Sequence, residues 1–385
     1  MSAAHSQSQR PGASGDALHD AAKAAIAAAE PAWLAVRTAH EALHLPDFTL
    51  LHAGPPIADP RRLAAPLRMS CVLACLHEGW AHDEAEAVRL LADGRITLQA
   101  AQDHGVVTPL AAVISLRSVL VEVVDLASDL SKPARAWSLL SSGAGPQLRF
   151  GVGDRAILAR MAWRDGTLAE TGLRRGDDRH ARTTAAQLAL HACLQARLDA
   201  GVWTGANAER RGMIEMLATS PLFFLTLWMA ACHLLLVAAA GPNDLGSPLE
   251  VGMAGNGEQM GIRLAGRPGE WFFASAASPA GPRLDPAGSA EAALFLGDSG
   301  VIDAMGFGGQ ALARAPELAA VVASSGLAPL VTVAMPDVAG GRGLLGRGLY
   351  IPLVELFVWA AAAVRADLGV VHPTASTSLP TRIQS

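Results

Sequence analysis

The twenty residues 221–240 set the tightest limit on what this chain can fold into. Their only polar side chains are Thr226 and His233, with Cys232 beside them, and no charge interrupts the run. Such a segment either crosses a bilayer, which takes about 20 apolar residues, or forms a helix buried on every side. The run stands alone, carries a histidine, and neither flank shows the Lys/Arg excess of a cytoplasmic loop beside a membrane span. The sequence therefore predicts the central buried helix of a soluble protein, around which other elements pack.

The rest of the composition agrees. At 385 residues there is length for two or three domains and a sizeable core. Charged residues make up 17% and hydrophobic ones 51%, the latter largely alanine and small aliphatics, as expected of a chain with much buried surface. The net charge of -5 and the lack of a basic run exclude nucleic acid as the main partner. Four cysteines without a C-x-x-C pair indicate a reducing, cytoplasmic setting and no disulfide framework. Cys71 and Cys75, four apart on one helix face, read as small core residues rather than zinc ligands.

Along the chain, residues 1–16 read as a polar, disordered tail without a signal-peptide pattern. Residues 17–45 are alanine-rich and predict helix broken at Pro31. A strand at 48–52 delivers His52 to the turn Ala53-Gly54-Pro55-Pro56. One long helix is predicted over 69–91, a short strand over 96–99, and a loop over 103–110 holding the titratable pair Asp103 and His104. Residues 113–124 read as a buried strand pair in which Glu122 would need a partner. A further strand is predicted at 146–150, before a helix that ends near Trp163.

From Asp165 the periodicity becomes helical as far as Ala240, opening with the polar cluster Gly176-Asp177-Asp178-Arg179-His180-Ala181-Arg182. Asp177 or Asp178 can cap a helix there, yet His180 and Arg182 suit its first turn poorly. After a linker at 241–248, antiparallel strands are predicted at 249–254, 260–264 and 271–274, joined by Gly255-Asn256-Gly257 and Gly266-Arg267-Pro268-Gly269. Asn256 is an ordinary turn residue whose side chain could also face a ligand. A strand at 327–333, a glycine-rich loop at 337–348 and a helix at 351–366 close the chain.

These elements define an α/β protein of several domains, with a mixed sheet, a largely helical middle insert and a C-terminal α/β region containing antiparallel hairpins. The boundaries fall at 17–164, 165–245 and 246–385.

Two motifs bear on chemistry. His77-Glu78-Gly79-Trp80-Ala81-His82 imitates a zinc-protease helix, but a five-residue step turns its histidines about 140° apart, so a metalloprotease is rejected and no metal is assigned. The stretch Gly297-Asp298-Ser299-Gly300 follows an apolar strand at 292–296 and leads through Gly306-Phe307-Gly308-Gly309 into a helical pattern. Asp298 and Ser299 are good N-cap residues, and the glycines allow close backbone approach. The turn is either a plain strand-to-helix turn or an anion or carboxylate site at a helix N-terminus. It is not a Walker loop and holds no G-x-G-x-x-G.

Five blocks in order resemble the oxamate carbamoyltransferase subunit family: Leu50-Leu51-His52-Ala53-Gly54-Pro55-Pro56; Ala74-Cys75-Leu76-His77-Glu78-Gly79-Trp80-Ala81 with Asp83-Glu84-Ala85; Gly176-Asp177-Asp178 with His180 and Arg182; Asn256-Gly257 with Gly261-Ile262-Arg263; and Gly297-Asp298-Ser299 with Gly306-Phe307-Gly308-Gly309. The resemblance implies conversion of oxalurate, or a related ureido acid, and phosphate to oxamate and carbamoyl phosphate, in allantoin breakdown. It also implies a cytoplasmic complex with companion subunits and no cofactor; self-association is left open. The chain departs from the family pattern in its short 319–328 segment, in Gly343-Leu344-Leu345-Gly346 and in Asp303. A non-catalytic, metabolite-binding or complex-forming paralogue is the competing reading.

Carbamoyl transfer to phosphate needs cations or N–H donors for anions, donors for a developing oxyanion, and a proton for the leaving nitrogen. The candidates for catalysis are His52, Asp178, His180 and Asp298. Those for substrate binding are His104, Arg182, Asn256, Arg263, Ser299, Gly308 and Gly309.

Overall fold

The computed structural model describes residues 15–129, 131–143, 145–173, 216, 220, 223, 225–240, 247, 249–278, 291–307, 355–356, 358–361 and 382–384. The polar cluster around Asp178, the strand expected at 327–333 and the loop at 337–348 lie outside these residues.

The N-terminal helix α1 (Gly15–Ala28) stops three residues before Pro31, and the helix expected to resume there is instead a strand, β1 (Pro31–Thr38). Proline is tolerated as the first residue of a strand. The pairing of β1 along its length with a buried strand overrides the helical preference of its alanines. Thr38 then caps the short α2 (Ala39–Leu43) in a capping box with Glu41. Next comes β2 (Thr49–His52), as expected.

The single helix expected over 69–91 is two, α3 (Ala65–Glu78) and α4 (Glu84–Ala92). Gly79 ends the first in the left-handed region at φ 77, and Asp83 caps the second by accepting the Glu86 N–H at 2.7 Å. Within α3, Cys71 and Cys75 are buried free thiols. The strands β3 (Thr97–Ala100), β4 (Val106–Val107), β5 (Val119–Asp125) and β6 (Arg135–Leu139) follow.

The pair of strands expected at 113–124 is one, β5. Ser118 N–H bonds to Ser115 O and Ser115 N–H to Ser118 Oγ, so the chain turns where the first strand should end. The strand expected at 146–150 is a 3-10 turn, Leu148–Phe150. Its carbonyls accept from Ser70 Oγ and Ala111 N rather than from a ladder partner. Helix α5 (Ala156–Trp163) passes into π-helical turns at Arg164–Leu173.

The C-terminal half contributes α6 (Leu225–Ala240), the meander β7 (Glu250–Asn256), β8 (Gln259–Leu264) and β9 (Arg267–Ser275), then β10 (Leu296–Gly297), α7 (Gly300–Ala304) and β11 (Arg382–Gln384). Of the strand expected at 292–296 only its end, Leu296, joins β10.

Among the described residues three sheets form: a mixed one in the order β1-β5-β6-β4, an antiparallel one in the order β10-β7-β8-β9-β11, and the parallel pair β2-β3. The fold is thus α/β, with a mixed sheet and antiparallel hairpins, as the sequence predicts.

Helix α6 touches β1, β4, β5 and β6 of the mixed sheet, β7 and β9 of the antiparallel sheet, and both α1 and α7. Met229, Ala230, Cys232, Leu234, Leu236 and Ala239 are sealed from solvent on different faces of the helix. At about 1.5–3 kcal/mol for each large side chain, this one helix supplies much of the burial that joins the two sheets. His233 is buried with them, and burial lowers its pKa to about 4, which keeps the imidazole neutral. No helix among the described residues is long and apolar enough to cross a membrane.

Several charges inside the fold are paired. Glu122 on β5 is fully buried and meets Arg37 of β1 at 2.9 Å and Arg135 of β6 at 3.0 Å, the partners that its position demanded. Asp165 accepts two bonds from Arg164, one from His77 Nε2 at 3.0 Å and one from Val119 N, fastening α3 and β5 to the π-helical turns. Glu78 accepts from Arg117 N at 2.7 Å. The histidine and glutamate of the zinc-like motif are thus structural fasteners.

Because two arginines, each about half exposed, meet Glu122, removal of one leaves the other in place. Arg37→Ala or Arg135→Ala alone is expected to cost about 1 kcal/mol or less. The double variant strands a buried carboxylate and is expected to cost about 3–5 kcal/mol. Urea unfolding of the three variants checks this, and additive costs would contradict it.

Candidate functional site

The turn after β10 does not cap its helix as the sequence suggests. Ser299 occupies the N-cap position of α7 without a side-chain bond, and that helix is only five residues long. Asp298 turns the other way and is fully buried. Its Oδ1 accepts from Gly54 N at 3.2 Å and Gln102 Nε2 at 2.9 Å, and its Oδ2 accepts from Thr108 N at 2.9 Å. Its own N–H bonds to Thr108 O. Donors do converge on this turn, and the anion they hold is a side chain of the protein. Burial raises the Asp298 carboxyl to about 7, against the downward pull of the three donors and of the Arg263 charge.

The loop after β2 reaches this carboxylate because Gly54 adopts φ 88 and lies against the backbone of Gly255 and Asn256, where a Cβ would meet Asn256 N at 2.5 Å. Asn256, buried at the end of β7, locks the same contact: its Nδ2 donates to Pro55 O at 3.0 Å, while its Oδ1 accepts from Glu258 N and Gln259 N and closes the hairpin turn. Its amide therefore faces the protein on both sides.

Arg263 on β8 is 8% exposed. Its guanidinium bonds to Asp103 and lies over the Trp271 ring, 4.2 Å from the centroid. Burial lowers its pKa to about 10, opposed by the charge of Asp298. Arg263 Nε has no partner among the described residues.

His52 is fully buried at the end of β2. Its Nδ1–H bonds to Ala53 O at 2.8 Å, which leaves Nε2 as a bare lone pair with no partner among the described residues. Burial lowers this histidine to about 4, so the ring is neutral. His104, half-buried, shares a 3-10 turn with Gln102 and Asp103 and donates from Nε2 to Gln99 Oε1 at 2.6 Å; burial lowers its pKa too.

The structure thus gathers Asp298, Arg263, Asn256 and the loop that follows His52 into one assembly, with His104 on its edge and Ser299 half-buried beside Asp298. Asp178, His180, Arg182, Gly308 and Gly309 lie outside the described residues. Three participants have no individual role in the sequence reading: Gln102, Thr108 and Trp271. The Asp103-His104 pair marked their neighbourhood, but nothing local ties a glutamine to a carboxylate 196 residues away.

The folded Asp298 carboxyl sits above its unfolded value of 3.8, so the unfolded chain gives up this proton first. The contribution of the group is greatest below about pH 4 and is lost as pH rises to about 7. Asp298→Asn, which does not titrate, is expected to become less destabilised relative to wild type between pH 5 and pH 8. Other buried groups cancel in that difference. Melting curves of both proteins across this range check it, and a gap that widens with pH would refute the assignment.

Residues 96–299, more than half of the chain, match the family model described as oxamate carbamoyltransferase subunit AllG. Oxamate carbamoyltransferase subunit AllG of Escherichia coli (strain K12) is 30% identical over 327 residues, 78% of this chain and 75% of that protein. Uncharacterized protein YahG of the same organism is 31% identical over 294 residues, and the match spans 71% of this chain and 60% of YahG. The crystal structure of a conserved protein of unknown function from Enterococcus faecalis V583 has the same fold, with a TM-score of 0.71 at 22% identity, over 91% of this chain and 97% of that one. The chain belongs to the oxamate carbamoyltransferase subunit AllG family.

Proposed function

We propose that this chain is a subunit of a carbamoyltransferase-like enzyme that converts oxalurate, or a related ureido acid, and phosphate to oxamate, or a related amide, and carbamoyl phosphate. Family membership supports the reaction class. The observation that carries the assignment to this site is Arg263, a buried cation with an unmet Nε, set within the electrostatic reach of a buried carboxyl.

In this reaction a phosphate oxygen attacks the carbamoyl carbon, the bond from that carbon to the amide nitrogen breaks, and the nitrogen takes a proton. Arg263 supplies directional N–H bonds to a carboxylate or phosphate. His52, with its tautomer fixed by Ala53, presents a neutral Nε2 lone pair able to accept a hydrogen bond. Asp298, raised to about 7, is able to hold a proton at neutral pH. Roles for Asp178, His180, Arg182, Gly308 and Gly309 rest on the resemblance. The proposed setting is cytoplasmic, with companion subunits, and no cofactor is invoked.

A second reading, a metabolite-binding or complex-forming paralogue of that subunit, draws support from the saturation of Asp298. Three donors from distant segments already occupy its oxygens, which suits a fastener better than an acid–base group.

The discriminating experiment measures phosphate-dependent release of carbamoyl phosphate from a panel of ureido acids, with and without co-expressed companion subunits. Release that needs phosphate supports the transferase. Arg263→Met is then expected to weaken anion binding by about tenfold or more, as befits a lost charge-assisted bond. Ligand binding without release under any combination would favour the paralogue.

A further inference from the structure

Leu110 stands in the left-handed backbone region at φ 48 and leaves 42% of its surface exposed. Both features count against a leucine, because that region favours glycine or asparagine and an exposed isobutyl group gains nothing from folding. The conformation is built in: the Leu110 backbone lies against Gly297, where a Cβ would meet Leu110 N at 2.5 Å. A leucine held where the chain alone favours neither its backbone nor its side chain points to a contact outside the chain.

Its neighbours extend the apolar surface. Ala111 N donates to Arg149 O at 3.0 Å, which sets Leu110 beside Phe150, and Val152 follows after the left-handed turn at Gly151. Phe150 is 47% and Val152 49% exposed. Apolar residues exposed singly are ordinary, whereas a cluster of them marks an interaction surface. The Arg149 guanidinium lies over the Phe150 ring, 4.8 Å from its centroid, and makes no ion pair among the described residues. Gly151 seats this loop on the start of α3, since a Cβ there would meet Pro66 Cα at 2.4 Å, and Arg68 is exposed on the same helical turn. With the exposed Arg155 the surface thus carries Arg68, Arg149 and Arg155 against one acid, Asp154, whose Oδ1 already accepts from Ala156 N. The chain as a whole has a net charge of -5, so the basic character belongs to this face.

We propose that Leu110, Phe150 and Val152, with Arg149 among them, dock a companion subunit that presents an apolar face bearing an acidic side chain. Aromatic residues and arginine are enriched where protein surfaces meet, and the carboxylate that Arg149 lacks comes from the partner. A second copy of this chain fits less well, because a two-fold contact sets this positive face against itself. Docking here places the partner against the segment that delivers the Thr108 N–H to Asp298, two residues before Leu110. The inference rests on the reading of this chain as a subunit and is independent of the reaction assigned to the complex.

The test uses the full chain co-expressed with its companion subunits, with light scattering on the complex and calorimetry on the separated partners. Leu110→Asn is the discriminating variant: asparagine suits φ 48, so the melting temperature of the free chain is expected to hold or rise while affinity for the partner falls about tenfold or more. Phe150→Asp and Arg149→Glu are expected to weaken binding by about the same factor, and Arg149→Met to flatten its dependence on salt. Val88→Asp, which alters a comparably exposed apolar residue on α4, is expected to bind as wild type does. Unchanged affinity in either Leu110→Asn or Phe150→Asp overturns the inference. A wild-type homodimer that Phe150→Asp dissociates makes a second copy the occupant and overturns it too. A complex that forms but releases no carbamoyl phosphate counts against the transferase alone, whereas a chain that binds no companion subunit overturns both readings.

Discussion

The carboxylate of Asp298 holds together parts of the chain that nothing else local would align. It is reached by a backbone N–H from the loop after β2, by another from the start of the Thr108 segment, and by a glutamine from the turn between. A buried charge without partners is among the most expensive things a fold can contain. The three donors are therefore required by the burial, and the burial fixes where their segments run. The small parallel pair β2-β3 is set against the antiparallel sheet through this contact and through Asn256, which bridges Pro55 to the β7–β8 turn.

This polar fastening works only because a large apolar element carries the bulk of the packing. Helix α6 has no polar face to offer solvent and is covered by both larger sheets and two helices. It joins the mixed sheet to β7, whose far end carries Gly255 and Asn256, and to α7, which starts two residues after Asp298. Non-directional burial brings the sheets together, and directional hydrogen bonds at their margin fix the register in which loops meet.

Much of this was legible in the sequence because it is periodic or compositional. An uncharged run of helical length predicts a buried helix, Asn256 between glycines predicts a hairpin turn, and a glutamate amid β-branched residues predicts a buried ion pair. The misreadings share a cause. Residues 31–38 are helical by local preference and become a strand because β5 offers a ladder. Asp298 reads as a cap, the commonest local use of such a residue, yet its partners lie 190, 196 and 244 positions away. The turn predicts donors from the N-terminus of the helix that follows, whereas the donors that meet Asp298 come from Gly54, Gln102 and Thr108. Gln102 carries no sequence signal, since an amide in a turn is ordinary until a carboxylate fixes its orientation.

The ionisation of the site follows from the same geometry. Burial drives Asp298 up to about 7 and Arg263 down to about 10, and the attraction between the two opposes both shifts. Asp103 ties the arginine to the protein surface, so one carboxylate faces solvent and the other does not. Asp103 is partly exposed, whereas Asp298 is fully buried and is held by its three donors and the charge of Arg263. A change in the charge of Arg263 is therefore felt at Asp298 as well as at its direct partner Asp103.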